Sequence, residues 1–172
     1  MPDPPRKQRR RYEQPNQARF LTFSCHHRKP HLSTPEARDA FATSLSRAHS
    51  TYNFKLLAWV AMPDHVHLVL VPDLPKWPVS KVLWGLKRGS ATRIKQTIVG
   101  ATPHPKGSRA HHIWQPGGGY DRNIRDHDEL NEKITYIHNN PVKRGLVKHP
   151  EDWPWSSAQW YMTGTGLVPI DR

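Results

Sequence analysis

Cysteine is nearly absent from this chain: one residue, Cys25, in 172. An internal disulfide is therefore excluded, and the usage fits a reducing compartment. Long apolar runs are missing too. No stretch approaches the length that spans a bilayer, and the N-terminal MPDPPRKQRRRY is polar with no apolar segment behind it, so neither a membrane span nor a signal peptide is read here. The chain reads as a cytoplasmic protein without a membrane partner. Acidic residues are scarce, 14 against 26 Lys and Arg, for a net charge of +12. Such an excess points to a polyanionic partner, of which nucleic acid is the usual one. No HExxH pattern occurs, which argues against a zinc hydrolase of that type. The length suits one domain with a sizeable core.

What is present centres on residues 57–72, LAWVAMPDHVHLVLVP. It reads as a strand, a tight Met62-Pro63-Asp64 turn and a second strand, which at this loop length must form an antiparallel hairpin. Successive side chains on a strand alternate faces, so His65 and His67 share one face while Val66, Leu68 and Leu70 line the other. Two imidazoles held side by side on an element with an apolar far face make a candidate two-histidine metal site. The spacing alone also suits histidines on an exposed strand; their place at the start of a very apolar strand, directly after a turn, favours the site.

Around this hairpin the chain divides into a basic arm over residues 1–18, read as flexible, and one domain over 19–172. Arg9, Arg10 and Arg11 in the arm are either solvated or contacts for phosphates. Residues 19–25 alternate as a first strand, and Thr34-Pro35-Glu36 opens a helix with an N-cap, a proline at its first position and an early acid. Strands are expected over 54–62 and 65–72, and a helix over 79–98 whose Lys87, Arg88, Arg93 and Lys95 are candidate phosphate contacts. His104, His111 and His112 fall in a polar loop and are exposed histidines or extra ligands. Short strands flank the glycines of IWQPGGGYDRNIRD. Asp126 or Asp128 caps a further helix with a buried stripe of Leu130, Ile134 and Ile137, which Pro141 is expected to end. Trp153, Trp155 and Trp160 either pack down on the sheet or stack on bases, and core packing is the favoured reading. The order of elements suggests an α+β, ferredoxin-like (RRM-like) sandwich: an antiparallel sheet with helices on one face, the histidine face left free for nucleic acid, and an added C-terminal helix.

On that last helix Tyr136 and Asn140 are four residues apart, on one side and off the buried stripe. Tyr120, beside the glycines and next to Asp121, is the competing accessible tyrosine.

The stretch WVAMPDHVHLVLVP resembles the histidine-hydrophobe-histidine (HUH) signature of single-tyrosine transposases. A second block, YIHNNPVKRGLVKHPEDWPWSSA from Tyr136 to Ala158, is similar to the C-terminal block of the REP-associated tyrosine transposases of the same group. The resemblance implies a metal-dependent enzyme that nicks and joins single-stranded, hairpin-forming DNA through a 5′-phosphotyrosine, acting as a monomer or homodimer. It carries the nucleophile onto Tyr136 and the third metal ligand, after His65 and His67, onto Asn140, with Mg or Mn as the divalent ion. Lys143 and Arg144 of the same block join the phosphate-binding candidates. Asn140 departs from the glutamine that many insertion-sequence relatives carry, and it directly precedes a proline. A non-catalytic module that binds single-stranded DNA or RNA on the same fold is the alternative.

Overall fold

The structure is a computed structural model and describes residues 12–98 and 112–171. Its elements are β1 (Arg19–Ser24), α1 (Pro35–Tyr52), β2 (Lys55–Ala61), β3 (His65–Val71), α2 (Val79–Ile98), β4 (Tyr120–Asn123), α3 (His127–Lys143) and a short α4 (Ala158–Thr163). The strands form one sheet in the order β2-β3-β1-β4, every neighbouring pair antiparallel. This is the ferredoxin-like α+β arrangement read from the sequence.

Local chemistry explains where the helices begin. Thr34 accepts a hydrogen bond from the Ala37 amide, with Pro35 at the first helical position, and Asn53 ends α1 in the left-handed conformation. Of the two acids offered as a cap for α3, Asp126 does so, accepting from the Glu129 amide.

Alternation along the strands divides the apolar residues between two faces. On one, Leu21, Phe23, Val66, Leu68 and Leu70 pack against Phe41 and Leu45 of α1 and Leu83 and Leu86 of α2. On the other, Phe20, Val60 and Val69 meet Ile137 of α3, with Leu130 and Ile134 packed against them and Trp153 alongside. The added helix thus lies on the histidine face and covers part of it, which corrects the expectation that this face is left free. The cause is the apolar stripe of α3, which gains by burial only if it docks on a sheet. In β2 the alternation breaks at Leu57, where a bulge shifts the register between Leu56 and Ala58.

Three further expectations meet the structure. Pro141 does not end α3, which runs on to Lys143. Proline removes one amide donor close to the helix end, and burial of Ile137, Asn140 and Pro141 holds the last turn in place. Of the segment read as an arm, residues 12–18 are bonded to the body: Tyr12 O accepts from Arg19 and Asn123, Gln17 donates to Ile124 O, and Glu13 accepts from the Val79 amide. These bonds tie the segment to β1, to the end of β4 and to the start of α2, so contact with the domain begins before residue 19. Trp153 packs in the core and half-buried Trp155 packs against it, their indole N–H groups donating to Ala61 O and Asp39, and Trp160 packs against the first cluster.

The C-terminal segment closes the β2 edge: Ala61 N donates to Trp155 O, Ser157 N to Trp59 O and Asp171 N to Leu56 O. Cys25 is fully buried, and burial pushes its thiol up to about 12, so it is a packing residue and not a nucleophile. Among the described residues no helix is long and apolar enough to cross a membrane.

Candidate active site

The hairpin turn is pinned from both sides before any side chain is considered. Met62 N donates to His65 O, Cys25 N to Asp64 O and Leu32 N to Pro63 O. Asp64 is thereby held beside His65, and its Oδ1 lies 2.7 Å from His65 Nδ1. A carboxylate only accepts, so His65 Nδ1 carries the proton and Nε2 of the neutral ring presents a bare lone pair. That Nε2 is 3.1 Å from His67 Nε2. Across the β1–β3 ladder Thr22 stands opposite His67, with its hydroxyl 2.7 Å from His67 Nδ1. The hydroxyl donates or accepts, so His67 can release its own Nε2 by donating from Nδ1 to Thr22.

Asn140 completes the group from α3. It is buried, and its Nδ2 donates to His67 Nε2 over 3.3 Å. Turning the amide over would bring Oδ1 to the same point. Two imidazole nitrogens and an amide oxygen then converge around His67 Nε2, with the His65 tautomer fixed by Asp64 and no acidic ligand. This donor set fits a divalent ion that accepts nitrogen and oxygen together, Mn readily and Mg less so. Among the described residues there is no cluster of three or more His, Cys, Asp and Glu that could hold a metal.

Electrostatics keep both rings in the ligand form. Burial, helped by the neighbouring His65, pushes His67 down to about 3. Burial also lowers His65, although Asp64 pulls the other way. Burial raises the Asp64 carboxyl, yet its bond to His65 with the charges of His65, Arg144 and Arg28 outweighs that and holds it below the ordinary carboxylate range. Arg28 and Arg144 approach the same carboxylate at 3.3 and 3.5 Å. Arg28 reaches it from a turn in which His27 and Arg28 both adopt the left-handed conformation, with φ of 53° and 57°.

Tyr136 stands one helical turn before Asn140, its ring edge-on to His67 with centroids 5.3 Å apart, and 40% exposed. Lys143 lies over the Tyr136 ring at 5.4 Å. These residues open into a pocket of about 590 Å³ whose lining includes Arg28, Lys133, Lys143 and Arg144 and no acid. Tyr120 lines the same pocket from β4, opposite Thr22 in the ladder and edge-on to Phe20 at 6.1 Å. The two candidate tyrosines are thus neighbours across Phe20. Asp121, next to Tyr120, pairs with Arg19 at 2.7 Å.

The structure brings His65, His67, Tyr136, Asn140, Lys143 and Arg144 together. It does not bring in the α2 cations, which lie across the sheet. There Lys87 donates to the Gln115 and Gly117 carbonyls, Arg88 sits over Trp84, and Arg93 reaches Gly89 O. Arg9, Arg10 and Arg11, with His104 and His111, lie outside the described residues; His112 lies beside His26, ring centroids 5.4 Å apart, away from the pocket. Sequence reasoning missed Asp64, Thr22, Arg28 and Lys133. Asp64 had a signal, an acid abutting a candidate ligand; Thr22 had none until the strands were paired.

Comparison with known proteins places the chain in a family. The family described as transposase IS200-like matches residues 17–140, a span that contains both histidines, Tyr136 and Asn140. The chain is 28% identical over 155 residues to a REP-associated tyrosine transposase of Escherichia coli K12, covering 88% of this chain and 82% of that one. It is 28% identical over 118 residues to a putative REP-associated tyrosine transposase of Haemophilus influenzae, covering 68% and 66%. A solved REP-associated tyrosine transposase bound to a REP hairpin superposes with a TM-score of 0.71 at 25% identity, covering 96% of this chain and 90% of that one. With the family matched over most of its length, the chain belongs to the IS200-like transposases, enzymes that transfer DNA strands.

Proposed function

We propose that this protein nicks and rejoins single-stranded DNA at hairpin-forming, REP-like elements, with Tyr136 as nucleophile and a divalent ion held by His65, His67 and Asn140. The observation that carries this reading is that His65 Nε2 and the Asn140 amide both approach His67 Nε2, at 3.1 and 3.3 Å, beside the ring of Tyr136. The hairpin partner is taken from the solved relative that is bound to one.

A phosphodiester repels nucleophiles and has a poor leaving group. Mg or Mn bound here would draw charge from a non-bridging oxygen and so relieve both difficulties. The chain's own residues do the rest. Asp64 holds the tautomer of His65 and Thr22 pairs with Nδ1 of His67, while Arg28, Lys133, Lys143 and Arg144 position the phosphates in the pocket. The Tyr136 oxygen forms a bond to phosphorus as the bond to the 3′ oxygen breaks; the phenolic proton is lost and the departing 3′ oxygen gains one. Lys143 over the ring favours the developing phenolate. The resulting 5′-phosphotyrosine conserves the bond energy, so a 3′ hydroxyl can reverse the step and join strands.

A labelled single-stranded hairpin, incubated with and without manganese, tests the proposal. A covalent adduct that needs the metal, maps to Tyr136 by mass spectrometry, is absent from Tyr136→Phe and persists in Tyr120→Phe is expected. An adduct on Tyr120 would move the nucleophile to β4; no adduct, with DNA still bound, would favour a binding module.

A further inference from the structure

Across the sheet from the histidines a second pocket of about 500 Å³ lies between α2 and residues 112–118. Its lining includes Trp84, Arg88, Lys95 and His112 and no acid. Trp84 is 59% exposed, an unusual state for the largest apolar side chain, and Arg88 stands over its ring at 5.1 Å. Exposed aromatic surface flanked by cations, without a carboxylate to neutralise them, is the combination that stacks an unpaired base and neutralises its phosphates. Lys87 is not free for this, since it is bonded to the Gln115 and Gly117 carbonyls and thereby fixes the wall of the pocket.

Along the chain, a rim of three glycines, Gly117 to Gly119, leads from the second pocket to the first. Gly117 and Gly118 line the second, and Tyr120 lines the first. Gly119 presses on β1 so closely that an added Cβ would overlap the Thr22 carbonyl, while one at Gly117 would meet nothing within 4 Å. These glycines add no side chain of their own along that path, and Gly119 is locked to the strand that carries Thr22.

We infer that a nucleic-acid strand engaged at the histidine pocket continues over the glycine rim, and that unpaired nucleotides beside the nick site bind the second pocket through Trp84, Arg88 and Lys95. This rests on the proposed DNA substrate and adds a separate subsite to it.

The test uses the full-length Tyr136→Phe protein, which prevents cleavage, with a hairpin carrying a single-stranded flank of varied length on either side. Affinity is expected to rise as one flank is lengthened, and Trp84→Ala or the double variant Arg88→Gln/Lys95→Gln should abolish most of that rise, roughly tenfold. A flank substituted with 5-iodouracil should crosslink to a peptide containing Trp84. The substitutions are at the surface, and an unchanged melting temperature verifies the fold. Equal affinity of parent and variants for every flank, or crosslinks confined to the histidine pocket, would overturn the subsite. Adduct formation by the protein with Tyr136 intact is scored separately: an adduct with no Trp84 effect sinks only the subsite, and a Trp84 effect with no adduct sinks only the strand-transfer reading.

Discussion

Asp64 touches no substrate atom in the proposed reaction, yet it decides which nitrogen of His65 faces the pocket. Asp64→Asn keeps the shape but can donate from its amide to Nδ1, which allows the proton to move to Nε2 and block it. Manganese affinity measured by calorimetry should fall about 10- to 100-fold, the usual cost of losing an orienting carboxylate. Unchanged affinity would mean that His65 is oriented by packing alone. Two histidines also set a pH dependence: His67, buried in the site, and His138, half-buried on α3 with its Nε2 2.9 Å from the Ser157 hydroxyl. His67 is held down to about 3 and His138 to about 4, both through burial, against about 6.5 when unfolded. The unfolded chain therefore binds more protons across this window, so stability is full above about pH 6.5 and is lost as pH falls toward 4 and then 3. The urea midpoint should drop between pH 7 and 4.5, and His138→Gln should flatten that drop. An equal midpoint at both pH values would show that these rings are charged in the folded protein.

At the scale of elements, the glycine rim is the position where one atom matters most. Gly119 has φ of 71° and no room for a side chain against the Thr22 carbonyl, whereas Gly117, at φ of 92°, faces open space. Both substitutions by alanine are strained, by about 1–3 kcal/mol, but only Gly119→Ala must also push β4 off β1. It should destabilise the fold more than Gly117→Ala and lower cleavage by shifting Thr22 and Tyr120; equal melting temperatures would show that β4 yields without cost. Much of this level was legible in the sequence. The alternation of HVHLVLV assigns the faces of β3, and the caps at Thr34 and Asp126 locate two helix starts. The bulge at Leu57 was not, because a strand apolar on both faces hides a slip in alternation. Nor was the passage of α3 through Pro141, where tertiary burial overrides a local preference.

For the molecule as a whole, two motifs 71 residues apart in the chain meet because α3 folds back over β2 and β3, and the spacing of Tyr136 and Asn140 had meaning only beside His67. Charge had a different reach: net +12 announced a polyanion but could not say which cations share a surface, and the structure divides them between two pockets with Lys87 spent on the protein itself. That division can be measured through salt. Each phosphate neutralised on a single strand adds about −0.7 to the slope of log K against log salt, so the cations of both pockets acting together should bring it to roughly −4. Lys143→Gln/Arg144→Gln should make it shallower by about 1.4. Deleting residues 1–11, which hold Arg6, Lys7, Arg9, Arg10 and Arg11, removes charge while sparing the bonds made from Tyr12 onward. The truncated protein should melt as the parent does and lose slope only if the arm contacts DNA. A slope near zero in the full chain would show that binding is led by stacking and shape, not by phosphate contacts.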